Sequence, residues 1–133
     1  MPRVEWMVAC ELAYFDRHGR MCMVGVMTDL RLPSVPLQMR QMTLVARLAD
    51  RRPGSALNVG FAVATPDGQW IGPSADDDIH IEVAFEYILI TVRDLPFRME
   101  GMYQFGLHLD SDQFVTVDIP VLVVAPSTAA ACH

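Results

Sequence analysis

Hydrophobic and polar residues alternate along most of this chain, and no long segment repeats with a helical period. From Glu5 to Phe15, an extended strand puts Trp6, Val8, Cys10, Leu12 and Tyr14 on one face. Met7, Ala9, Ala13 and Phe15 make the opposite face nearly as apolar. "DRHG" (Asp16 to Gly19) reads as a turn, with Gly19 available for positive φ. The chain returns as a second strand, "RMCMVGVM". Pro33 and Pro36 forbid ladder pairing in the next stretch, "TDLRLPSVPLQ", which reads as an extended crossing loop.

Gln41–Ala49 forms a third strand, with Met42, Leu44, Ala46 and Leu48 inward. Ala56–Ala64 forms a fourth, with Leu57, Val59, Phe61 and Val63 inward. "TPDG" (Thr65 to Gly68) has proline at the first central position of a type I turn. A short "QWI" strand and a polar "GPSADDD" loop follow. Ile79–Thr91 reads as the longest strand. Met102–Leu109 and Phe114–Ile119 make the last hairpin; Pro120 interrupts it and Val121–Val124 resumes. About seven to nine short strands, with turn signals roughly every 8 to 12 residues, predict an all-β fold. The expected architecture is an antiparallel two-sheet β-sandwich, immunoglobulin-like or C2-like. In "EGMYQF" (Glu100 to Phe105), a glycine two residues before a tyrosine matches the corner of such sandwiches, where the phenol caps a backbone carbonyl.

These stretches together resemble a family of small bacterial proteins of unknown function, each about this length. The resemblance rests on "AYFDRHGRMCMVGV" (Ala13 to Val26), a proline-bearing loop, "LVARL" (Leu44 to Leu48), the Pro-Asp-Gly turn, and "LPFRMEGMYQFGLHLD" (Leu95 to Asp110). It covers about Val4 to Val124. It implies the sandwich fold and brings no catalytic residues with it. Asp110-Ser111-Asp112 departs from the Asp-Gly of that family's last hairpin.

At 133 residues, 52% apolar and 20% charged, the chain suits one globular domain. Residues 1–125 are expected to form it and 126–133 a flexible tail. A net charge of −6 disfavours nucleic acid and anionic membrane as partners. No apolar run reaches the roughly 20 residues of a membrane helix. Cys10, Cys22 and Cys132 fit no zinc spacing. As reduced thiols, they point to a cytoplasmic protein.

The most chemically suggestive stretch is "DDDIHIE" (Asp76 to Glu82). Alternation puts Asp78, His80 and Glu82 on one strand face, but same-face neighbours stand about 7 Å apart, too far to share one ion easily. If each strand reverses the chain, Asp76, Asp77 and Asp78 at the start of the long strand lie at the same pole as Asp110 and Asp112, and counting "QWI" as a full reversal adds Asp16 and Asp50. That pole reads two ways. It is either a solvated rim balanced by Arg17, Arg51 and Arg52, or an oxygen-rich calcium site.

The chain carries no Gly-x-Ser-x-Gly elbow and no glycine-rich phosphate loop, so a hydrolase is the weakest reading. More telling is surplus apolar surface. Trp6–Ala9, Met21–Val24 and Tyr87–Ile90 are apolar on both faces, whereas a two-layer sandwich buries one. Either the Pro33–Pro36 loop covers an outer face, or a second chain does. Met21, Met23 and Met27, on one parity, suit an adaptable contact surface. The expectation is a non-catalytic binding or scaffold protein, without cofactor, acting by protein–protein contact or as a homodimer. The alternative is a calcium- or other metal-dependent binding domain.

Overall fold

The computed structural model describes residues 3–50, 56–71, 79–110 and 113–124. They form ten strands: β1 Arg3–Phe15, β2 Met21–Met27, β3 Leu30–Leu32, β4 Leu37–Ala49, β5 Val59–Ala64, β6 Trp70–Ile71, β7 Ile79–Ala84, β8 Tyr87–Phe97, β9 Gly101–Leu109 and β10 Gln113–Val123. Two five-stranded sheets result, in the orders β2-β1-β4-β8-β7 and β3-β10-β9-β5-β6. Every pairing is antiparallel except β3 with β10. This is the expected all-β, two-sheet β-sandwich.

The core lies between the sheets. Met42, Leu44, Ala46 and Leu48 of β4, with Ile88, Ile90 and Val92 of β8, meet Phe105, Leu107 and Leu109 of β9 and Ile119 and Val121 of β10. Tyr103 is buried beside Phe97, edge to face at 5.0 Å, and its hydroxyl donates to the Met99 carbonyl at 2.9 Å. That is the expected tyrosine corner. Gly101 beside it has a φ of 132°, and a Cβ there would stand 2.7 Å from Cβ of Pro66. The corner is therefore stacked on the Thr65–Gly68 turn, which closes with Gly68 N–H donating to the Thr65 carbonyl.

Two expectations are corrected. The crossing segment 28–38 is not all loop. Leu30–Leu32 pairs with Val121–Val123, and β4 begins at Leu37. Nor is Ile79–Thr91 one strand. The chain reverses at Phe85-Glu86, so that Ala84 pairs with Tyr87 and Ile79 with Val92. Phe85 takes a φ of 55°, a turn conformation that neither its size nor its chemistry advertises.

The surplus apolar surface has an intramolecular answer. β1 pairs with β4 only from Arg3 to Cys10, and with β2 from Ala9 to Phe15. Trp6 and Phe15 stand nine residues apart in one strand, about 30 Å if it were straight. Yet their rings lie 6.1 Å and 5.9 Å from the same Tyr87 ring. The tip of the β1–β2 hairpin is thus folded back over the outer face of its own sheet. The bend falls at Glu11 and Gly25, where Gly25 has a φ of 68° and a Cβ would stand 3.1 Å from Cβ of Glu11. Ala13, Phe15, Met21 and Met23 of this flap pack on Cys10, Val45 and Leu89.

Central strands therefore have a layer on each side, which is why Met42, Thr43, Leu44, Val45 and Ala46 are all buried in succession. The Pro33–Pro36 loop does not supply this cover, since its Val35 packs on the inner core.

Candidate contact surface

Of the aspartates expected at one pole, Asp76, Asp77, Asp78 and Asp112 lie outside the described residues. Asp110 takes a φ of 53° and trades backbone for side chain with Asn58. Its N–H donates to the Asn58 carbonyl at 2.7 Å, and its Oδ1 accepts from the Asn58 N–H at 3.1 Å. It fastens the approach to β5 onto the end of β9. Ile79 pairs with Val92, so β7 starts part-way along β8 and runs towards the Phe85 turn. The one-strand geometry that joined Asp76–Asp78 to Asp110 does not apply. His80 and Glu82 are exposed on this edge strand. Among the described residues, no group of three His, Cys, Asp or Glu side chains could hold an ion.

Asp16 is a turn former. Its Oδ1 accepts from the His18 and Arg20 N–H groups at 2.8 and 2.9 Å, and its Oδ2 from Nε of Arg20 at 2.7 Å. The Arg20 amide, with the Arg20 side chain and His18 amide behind it, holds the carboxyl below the usual carboxylate range. Asp50 pairs with Arg3. Among the described residues, the arginines paired with these two aspartates are Arg20 and Arg3, and Arg51 and Arg52 lie outside them.

A cavity of about 230 Å³ lies between the Thr65–Gly68 turn and the Pro96–Met99 segment, with Asp67 and Arg98 on its wall. The Asp67 carboxylate accepts from the Thr65 hydroxyl and the Gln69 amide, and both bonds draw its pKa down. It is a structural acceptor within its own turn. Cys10 is wholly buried, its thiol directed at the Thr43 carbonyl at 3.5 Å, and burial pushes its pKa up. A protonated, enclosed thiol has no nucleophilic role.

The flap presents a different surface. Its inner side is occupied by Ala13, Phe15, Met21 and Met23. Leu12 and Val24 stand opposite one another, next to the Tyr14–Cys22 pair. Leu12 is 44% exposed, Tyr14 47%, Val24 48% and Val26 55%. Met21 and Met23, expected at a contact surface, face the protein instead, and Met27 packs on the inner core.

A second apolar group lies outside the other sheet. Trp70 and Phe114 meet at 5.5 Å, and Phe114 and His108 at 4.3 Å. Phe114 lies across Gly106, where a Cβ would stand 2.5 Å from its ring. The small residue beneath it had no readable signal.

Residues 5–122 match the family of unknown function DUF6941. The chain belongs to DUF6941. No curated protein matches it. Among solved structures, this DUF6941 chain is similar to the M1 domain from titin, at 8% identity and a TM-score of 0.36, over 70% of this chain and 81% of that one. It is also similar to the Ig1 domain of mouse SynCAM 2, at 16% identity and a TM-score of 0.37, over 74% and 93%. Among the described residues, no helix is long and apolar enough to cross a membrane.

Proposed function

We propose that this DUF6941 chain is a non-catalytic binding module that works by protein–protein contact, with the outward face of the β1–β2 flap as its contact surface. One observation carries the reading: Leu12, Tyr14 and Val24 are large, apolar and exposed at neighbouring positions of one short hairpin. Single exposed apolar residues are ordinary, whereas a contiguous group marks an interaction site. The flap is also held from beneath, so the face is presented on a preformed support, which limits the entropy lost on binding. A buried, unpaired Cys10 suits a reducing compartment, and we place the protein in the cytoplasm.

The test is capture from lysate of the native host with the wild-type chain and with Leu12→Asp/Tyr14→Asp, followed by mass spectrometry. The expected result is a protein retained by the wild type and lost by a variant that keeps its circular dichroism spectrum. An identical retained set for both chains would overturn the flap as the contact surface.

A further inference from the structure

The geometry points to a second copy of this chain as a partner of the flap, paired edge to edge through β2 about a two-fold axis near Met23. This rests on the flap being the contact surface and names what meets it.

The two sheets have four edge strands, β2, β7, β3 and β6. Edge strands expose unpaired N–H and C=O groups, and proteins blunt them with charge, proline or brevity. Two of the edges here are blunted, and of β6 only Trp70–Ile71 lie among the described residues. β7 carries His80 and Glu82, and β3 is three residues long with Arg31 at its centre. β2, "MCMVGVM", has seven residues and no charge or proline. Among the described residues, no strand borders its outer side.

Neutrality is what selects a second copy over a different protein. An antiparallel two-fold sets the residues nearest its axis close to their own counterparts, so a charge in the middle of the strand would meet its like. A different partner could answer a charged edge with the opposite charge. The rest of the molecule has the opposite tendency, since a net charge of −6 drives two copies apart. The ends of the strand are complementary as well. Arg17 precedes β2 and Asp29 follows it, each six positions from Met23, so the antiparallel arrangement brings Arg17 of one copy to the Asp29 end of the other, while Arg20 stays with Asp16 and Arg31 lies 3.5 Å from Asp29. Gly25, with its φ of 68°, ends the regular run and confines the pairing to about Met21–Val24. The exposed Leu12, Tyr14 and Val24 side chains then flank the seam.

The experiment is light scattering at micromolar concentration, with Val24→Glu and Val24→Arg beside the wild type. The wild type should run at twice the 14.9 kDa chain mass. Each variant alone should run as a folded monomer, and an equimolar mixture of the two should recover the dimer. A wild-type monomer, variants that still dimerise, or a mixture that stays monomeric would each overturn the proposal. If the variants do not fold, a short bis-maleimide applied to the Cys132→Ser chain, in which Cys22 is the thiol outside the core, decides. The proposal requires dimers that Cys22→Ser abolishes; no dimer, or dimers that survive Cys22→Ser, sinks it. A monomeric wild type that still loses a captured protein on Leu12→Asp/Tyr14→Asp would overturn self-pairing and leave the contact surface standing.

Discussion

Phe15 and Tyr87 meet ring to ring, with centroids 5.9 Å apart, and that contact fastens the tip of the β1–β2 hairpin to the outer face of its own sheet. Phe85 adds a second ring to Phe15, edge to face at 5.2 Å. Removing the Phe15 ring should therefore free the flap before the sandwich. A fully buried Phe→Ala change costs about 3–5 kcal/mol, and half-buried Phe15 should cost about 2 kcal/mol. Phe15→Ala is expected to lower the unfolding free energy by that amount, read from the fall in the urea midpoint. In native-state hydrogen exchange, amides of Met21–Val24 should lose protection while those of Phe105 and Leu107 keep theirs.

The bond from the Tyr103 hydroxyl to the Met99 carbonyl ties the β8–β9 connection to the core at 2.9 Å. Tyr103→Phe keeps the ring against Phe97 and removes only that donor. The expected loss is about 1 kcal/mol, read from the urea midpoint with an unchanged m value. A loss near zero would mean that the Met99 carbonyl is satisfied by water.

These two contacts differ in how far the sequence announced them. Tyr103 follows Gly101 by two residues, a local signal with a local structural cause. The flap depends on a bend at Glu11 and Gly25 that brings together residues far apart in the chain. The same double cover hid the Phe85-Glu86 turn. Strand phase is read from contrast between faces, and residues 84–90, "AFEYILI", are apolar on both parities because β8 is buried on both. Core alternation passes from Ile79 and Val83 to Ile88, Ile90 and Val92, a change of phase that the apolar run conceals. A similar change crosses β4 and β8 together, where Met39 and Leu95 pack inward on one side of Arg40 and Asp94, and Met42 and Val92 on the other. Surplus apolar surface was legible in the sequence, but its cover was not, because that cover is the hairpin itself.

Asp16 gives the flap tip an acid response. Its carboxyl titrates below the ordinary carboxylate value in the folded chain, first because the Arg20 amide bonds its charged form. A lowered folded pKa means that the unfolded chain binds the proton more readily. The stabilisation is therefore complete above the ordinary carboxylate pKa and is lost as pH falls through the lower, folded one. Asp16→Asn should flatten this part of the acid unfolding profile and leave the slope near neutral pH unchanged. Urea midpoints measured from neutral to acid pH for both proteins provide the check.

Calcium should leave the melting temperature unchanged. Asp110 already uses its carboxylate to accept the Asn58 amide, and its backbone holds the same residue. A cation held at a hundredfold excess over its dissociation constant would add about 2.7 kcal/mol and raise the melting temperature by several degrees. Thermal scans with millimolar calcium and with a chelator separate the outcomes. A rise abolished by Asp77→Asn or Asp110→Asn would restore the calcium reading of Asp76, Asp77, Asp78, Asp110 and Asp112.

Thr43 is the buried polar residue of the described core, 1% exposed between Cys10 and Thr91 in the sheet. Its Oγ1 finds no hydrogen-bond partner among the described residues. An unsatisfied buried hydroxyl forfeits its hydration without replacing it, so an apolar group of the same shape should be better tolerated. Thr43→Val is expected to raise stability by about 1 kcal/mol, whereas Thr43→Ser, which keeps the hydroxyl and removes a buried methyl, should lower it by about as much. Urea unfolding of the three proteins distinguishes this from its opposite. A destabilised valine variant would mean that the hydroxyl has a partner, and that the space between the flap and the sheet holds something polar.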